Sequence, residues 1–282
     1  ETPEEWTGTT TDQLLMMAQA YQILKIHLSE SEKQSWLNSM KMAGDYLTQI
    51  MTPEFASINY VATTTATLMV LNTVIPDEKY VAKAKELARK VIAKMDDDFF
   101  ITGEGGRVVD AKYGVDLAYN MEMSLWGLAL YAQLSGDNQV MKKVQKATAN
   151  HLHFIFPDGS LDGSWGIRSN KWTCFGGATS DGTQVLFSLL AENDDRYRTA
   201  ALRNLNYLKT CMKDGFVGYG PQHWEVMADA PCIYPTFAKA KNLAMAHSLL
   251  NNDSDIFPNL PTDQNGLTVF PTLNIANVRT GN

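Results

Sequence analysis

Apolar runs without charge alternate with amphipathic runs along most of the chain. Ile58 to Val74 holds no charged residue, whereas Asp77 to Asp96 carries one apolar stripe among many lysines. The first pattern predicts a helix buried on all sides, and the second a helix with one wet face. The pairing recurs. Asp12 to Leu28 is apolar nearly all round, after a Thr-Thr-Thr-Asp start suited to capping, and Glu30 to Met51 is amphipathic. Asp116 to Leu134 and Ser180 to Leu190 are mostly apolar, and each precedes a mixed segment, Asn138 to Phe154 and Asp195 to Met212. An Ala-rich helix at Pro235 to Leu250 closes the series. About nine helices in hairpins repeating at roughly 40 to 65 residues predict a mainly α fold of stacked αα units.

The connections fall into two classes. Links from buried to exposed helices are short, at 29–31, 75–77, 135–137 and 192–194, while the return links at 52–57, 97–115, 156–179 and 214–234 are mostly long. Antiparallel neighbours would place all the return links at one end, over the N-termini of the buried helices. Orphan N–H groups and positive helix ends gather there and favour anions. From about Asn251 the pattern changes. Pro258, Pro261 and Pro271 and a partly alternating stretch from Leu267 to Arg279 predict an extended tail with one or two strands. The expected organisation is a helical domain over 1–250 and a tail over 251–282. Two strands make no stable sheet alone, so the tail either lies along the helices or opens a β-domain of the same full-length protein beyond this chain.

Composition narrows the function. With 24 Lys and Arg against 31 Asp and Glu, the formal charge is −7. No basic stripe is present, which argues against nucleic acid as a partner. No apolar run approaches the roughly 18 to 20 residues of a membrane span, so none is expected. The chain starts at Glu1 rather than Met, as a processed or trimmed product would, so a removed secretory leader would leave no trace here and composition leaves the compartment open. Cys174, Cys211 and Cys232 have neither metal spacing nor an even count, and no nucleotide-binding or metalloprotease motif occurs, so no metal or other cofactor is expected.

Candidate chemistry concentrates in three of the return links. The segment from Phe156 to Gly182 combines six glycines with Trp165, Trp172, Arg168, Asn170, Lys171, Asp162 and Asp181. Arg168, Asn170 and Lys171 have the donors to clamp a carboxylate, and the indoles have faces that sugars stack on. Pairing of the carboxylates with these cations is favoured over an acid/base couple. A second link brings Tyr113 toward Tyr119, Asn120 and Glu122, polar residues opening an apolar helix. They either satisfy a structural network or face a central cavity. The third offers Tyr219, His223, Trp224, Glu225 and Tyr234, with His223 the best placed of five histidines.

These features resemble the (α/α) toroid of polysaccharide lyases, in particular the heparinase II/III-like and chondroitin or alginate lyase groups. The resemblance spans most of residues 9–250. It rests on alternating inner and outer helices and on Asp158-Gly159-Ser160, followed by Ser164-Trp165-Gly166 and Phe175-Gly176-Gly177, leading into an inner helix. Where several such lyases place a histidine soon after the D-G-S, this chain has Ser164 and Trp165. The resemblance implies an incomplete toroid of alternating inner and outer helices with an extended C-terminal tail. It also implies β-elimination on a uronic-acid-containing oligosaccharide or polysaccharide by a secreted or periplasmic enzyme. In that chemistry Asn120, Arg168, Asn170 and Lys171 would neutralise the uronate, and Tyr113, Tyr119, His223 and Tyr234 would be the base and acid candidates. Trp165, Trp172, Trp224 and Asp181 would contact the sugar. Two competing readings are a toroidal glycoside hydrolase, which needs two carboxylates flanking the bond, and a non-catalytic glycan-binding module.

Overall fold

The structure, a computed structural model, describes residues 7–104, 114–162, 183–218, 220–226, 233–250 and 255–281. Its framework is a row of helical hairpins. The first two are α1 (Thr7–Leu24) with α2 (Glu30–Ile50), and α3 (Ile58–Val74) with α4 (Glu78–Ile92). The three-residue α5 (Leu117–Tyr119) runs through a π-helical turn at Asn120–Ser124 into α6 (Leu125–Ser135), which pairs with α7 (Asn138–His151). Then come α8 (Thr183–Leu190) with α9 (Arg196–Thr210), the short α10 (His223–Val226) and α11 (Ile233–Leu249). Helix α3 packs on α1, α4 and α6, α6 packs on α8, and α8 packs on α11, while α2, α7 and α9 cover their partners from outside. The mainly α class and the alternation of inner and outer helices read from the sequence describe this arrangement.

Short-range chemistry sets the hairpin ends. Ser29 and Glu32 form a capping box at the start of α2, and Asp77 and Asp137 accept from Lys79 N and Val140 N at the starts of α4 and α7. Gly136 ends α6 in the left-handed conformation at φ 72°. One boundary differs from expectation. Helix α1 stops at Leu24, four residues before the apolar pattern ends, and Ile23 and Ile26 stand 73% and 77% exposed. An apolar side chain in the last turn of a helix is buried only if a neighbour extends that far.

Helix α3 is enclosed along almost its whole length, from Ile58 to Leu71. Its threonines make this tolerable. Thr63, Thr64, Thr65 and Thr67 turn their hydroxyls back to Asn59, Tyr60, Ala62 and Thr63 carbonyls at 2.6–3.1 Å. Thr64 also meets Thr11 of α1 at 3.0 Å, and Thr65 reaches Gly127 O of α6 at 3.3 Å. At Gly127 the two backbones touch so closely that an added Cβ would sit 2.6 Å from Ala62 O.

The tail packs against the loops of the helices. Strands β3 (Gly266–Phe270) and β4 (Ile275–Arg279) pair antiparallel, and Phe270 and Leu273 enter a small core with Phe100, Val115, Leu117 and Phe154. A two-pronged Arg203–Asp263 ion pair at 2.7 and 2.8 Å, Thr272 N and Oγ1 donating to Asp98, and Asn277 donating to His153 O hold it down. A second small hairpin, β1 (Met212–Lys213) with β2 (Phe216–Val217), turns at Asp214-Gly215 with both φ positive. Among the described residues no helix is long and apolar enough to cross a membrane.

His151 lies fully buried against Phe100 at 4.9 Å, and its Nδ1 donates to Ala147 O at 2.7 Å. Burial lowers its pKa from the ordinary 6.5 to about 4. The unfolded chain then takes up a proton below pH 6.5 that the native chain refuses, so this stabilisation is complete above pH 6.5 and drains away toward pH 4. The loss amounts to about 3 kcal/mol at most. Urea midpoints measured from pH 7 to 4.5 should fall in the parent and fall less in His151→Leu; parallel slopes would assign the acid loss to other groups. Gly127→Ala should lower stability by about 2 kcal/mol despite alanine's better helix propensity, because the α3–α6 contact has no room to open without cost.

Candidate functional site

The polar residues that the fold gathers lie where the inner helices begin. Glu104 ends a segment that folds back through a bridge between Met95 and Ile101, and Gly103, at φ 97°, accepts from Ile58 N at 3.4 Å. The Glu104 carboxylate is 3% exposed and accepts from Ser57 Oγ at 3.0 Å and Asn59 Nδ2 at 2.7 Å. Its own N–H donates to Gly114 O at 2.7 Å. These two donors fix the carboxylate and the groups around it. Asp116 caps the next inner helix by accepting from Tyr119 N at 3.1 Å, which sets where Tyr119 and Asn120 emerge.

Asn120 takes part in a structural network, one of the two roles open to it in the sequence. Its Oδ1 accepts from Ile101 N and its Nδ2 donates to Ile101 O, each at 3.2 Å, so the amide imitates a strand partner and binds the returning loop. Directly after Asn120 the helix widens. Leu125 N reaches back to Asn120 O in the π turn, and Trp126 Nε1 donates to Glu122 O at 2.8 Å. Glu122 is fully buried and Tyr119 is 8% exposed. Insertions of this kind occur often at functional sites because they re-aim side chains within a helix.

A charged group enters the interior beside Trp126. Lys241 Nζ of α11 lies 3.2 Å from Asp12 Oδ1 of α1 and 6.0 Å from the centre of the Trp126 ring, tying the first and last inner helices to α6. Helix α11 also buries Lys239 and Asn242, and among the described residues neither end of the Asn242 amide has a hydrogen-bond partner. The Asp158-Gly159-Ser160 turn is structural in its described part. Asp158 Oδ1 accepts from Ser160 N and Oγ at 2.9 and 2.7 Å, and Gly159, at φ 91°, lies so close to Arg203 O that no Cβ fits.

His223 and Trp224 open α10. His223 is 3% exposed and stands edge-on to Trp224 at 4.9 Å. Trp224 Nε1 donates to Cys211 O at 2.9 Å, and Lys213 lies 5.9 Å from its ring, so this indole anchors the link and leaves part of its surface open. Tyr234 falls in the first turn of α11. Tyr113, Trp165, Arg168, Asn170, Lys171, Trp172 and Asp181 lie outside the described residues. Sequence reasoning missed Asn59, Glu104, Lys239, Lys241 and Asn242. An amide at the head of the charge-free run of α3, and lysines within an Ala-rich inner helix, were the available signals.

A family model described as the ulvan lyase N-terminal domain matches residues 1–262. This chain belongs to that family. Among curated proteins, a broad-specificity ulvan lyase of Formosa agariphila is 34% identical over 248 residues, which is 86% of this chain and 39% of the relative. The chain thus spans about two fifths of the length of that curated ulvan lyase. No solved structure gave a significant match. In this member of the ulvan lyase N-terminal domain family, Ser57, Asn59, Glu104, Asp116 and Asn120 cluster at the links into the inner helices, and Asp12, Lys239, Lys241 and Asn242 lie within α1 and α11.

Asn120→Ala would leave Ile101 N and O without partners in a site where Ile101 is 1% exposed. A loss of about 2 to 4 kcal/mol is expected in urea unfolding, two backbone groups being stranded at once. Unchanged stability with lost glycan binding would instead return Asn120 to a substrate-contacting role.

Proposed function

We propose that this chain is the helical part of a polysaccharide lyase that cleaves ulvan at a uronate by β-elimination. Membership of the ulvan lyase N-terminal domain family over residues 1–262 carries the reading. The local geometry supports it. Asn59, Glu104 and Asn120 form one buried scaffold at the helix starts, on links of the class that also holds the Arg168–Lys171 cluster. The inner helices, with the Asp12–Lys241 pair between first and last, are read as an incomplete ring whose rim forms the cleft. The rest of the full-length protein would complete its walls. A polymeric substrate of this size places the enzyme outside the cytoplasm, secreted or periplasmic.

In this mechanism Arg168, Asn170 and Lys171 take the uronate carboxylate. Neutralising it lowers the cost of negative charge that spreads onto it when the C5 proton leaves. A tyrosinate or histidine among Tyr113, Tyr119, His223 and Tyr234 removes that proton. The electron pair forms the C4–C5 double bond, the C4–O bond breaks, and a tyrosine hydroxyl protonates the departing oxygen. Trp165, Trp172 and Trp224 offer faces to neighbouring sugars, and Asp181 is read as a hydrogen-bond acceptor for sugar hydroxyls. Asn120 and Glu104 act one step back, by holding the loop over the start of α3.

Ulvan treated with the protein should yield unsaturated uronate ends that absorb in the ultraviolet. Arg168→Ala and Lys171→Ala should each lower kcat/KM by roughly a hundredfold, the scale of losing one charge-stabilising group. New reducing ends without absorbance would mean hydrolysis, and unchanged kinetics in both variants would sink the clamp.

A further inference from the structure

On the outer side of the helical layer, α4 and α7 enclose a cleft of about 540 Å³ that the proposed reaction does not use. Lys85 and Arg89 stand one turn apart on α4, and Lys143 and Gln139 one turn apart on α7, so the two walls present cations toward the same space. None of the three cations has an ion-pair partner among the described residues. The lining holds one acid against these three cations. Asp137 accepts from Val140 N at 3.1 Å as the cap of α7 and from the Tyr131 hydroxyl at 3.4 Å. The nearby Glu86 is held by Lys83 at 3.3 Å and Lys90 at 2.9 Å. A chain of net charge −7 therefore keeps a local excess of positive charge here.

We infer that this cleft is a second binding site for an acidic polysaccharide strand, separate from the rim where cleavage is proposed. The inference rests on the ulvan lyase reading for its ligand. The floor and walls fit a charged sugar better than a bare ion. Val81 and Ile92 offer apolar surface to a pyranose face, and Ser135 and Gln139 offer hydrogen bonds to hydroxyls. One helical turn, about 5.4 Å, separates Lys85 from Arg89, the scale on which successive sugars follow one another. Ser135 lies fifteen residues along the helix from Asn120, about 22 Å at the helical rise, which is too far for the same sugars to fill both places. A strand held here stays tethered while another segment enters the rim. The benefit is raised local concentration of substrate for a long chain and none for a short one.

The test is affinity electrophoresis of the full chain in gels containing ulvan at low salt, beside cleavage rates on polymer and on short ulvan oligosaccharides. The triple variant Lys85→Ala, Arg89→Ala, Lys143→Ala should lose about tenfold in affinity for the polymer and keep its rate on short oligosaccharides. A reference triple of exposed lysines, Lys25→Ala, Lys94→Ala, Lys209→Ala, makes the same charge change and should migrate as the parent does. Equal retention of parent and cleft variant, with cleavage intact, overturns the second site and leaves the lyase reading standing. A parent that neither binds nor cleaves ulvan overturns both. Stronger retention by double-stranded DNA than by ulvan overturns the glycan as ligand.

Discussion

Enclosing α3 on every side is the constraint from which the rest of the structure follows. A helix with α1, α4 and α6 around it can carry no charge, and its threonines are tolerable only because each hydroxyl has a carbonyl of its own helix within reach. Close packing at Gly127 then fixes how near α6 lies, and α6 in turn sets the position of α8. With the inner elements committed to apolar contact, solubility falls to the outer layer. There, ion pairs such as Asp45 with Lys41 and Lys79 tie α2 to α4 while facing water, where each contributes little to stability.

The same constraint explains where polar chemistry collects. An inner helix has most room for functional groups at its ends, and the C-terminal ends are occupied by short turns and caps. The N-terminal ends receive the long links, and they are the ends whose N–H groups lack partners. Glu104, Asn59, Asp116 and Asn120 use that opportunity to build a rigid base of hydrogen bonds beneath the links. The π turn after Asn120 interrupts the helix at the depth where Glu122 and Trp126 face inward, so rigidity and irregularity sit side by side.

The helices were legible because burial writes itself into composition. Ile58–Val74 and Glu78–Ile92 needed only the contrast between a charge-free run and a striped one. The Glu104 network was not legible, because its partners Ser57 and Asn59 lie 47 and 45 residues away and no spacing rule spans a loop of that kind. The role of Asn120 was open for the same reason. Its place at the head of an apolar helix was evident, but the Ile101 backbone it binds belongs to a loop whose path the sequence does not state. Asp214-Gly215 did carry a turn signal and was absorbed into a long link, since strands of two residues have no period to detect. At Ile23 and Ile26 the pattern misled, as hydrophobicity reports what a position could bury and not whether a neighbour is there.

The anchoring of the tail bears on the order in which the molecule assembles. Helical hairpins close between residues a few tens apart, but Thr272 meets Asp98 across 174 residues and Asn277 meets His153 across 124. Contacts of that span carry a large entropy of closure and form after the local ones. Until they form, Phe100 and Phe154 face water along one side of an otherwise folded helical layer. The hairpin of β3 and β4 therefore acts as a late seal, and the rate at which it lifts governs how soon that aromatic surface is offered to proteases or to other unfolded chains.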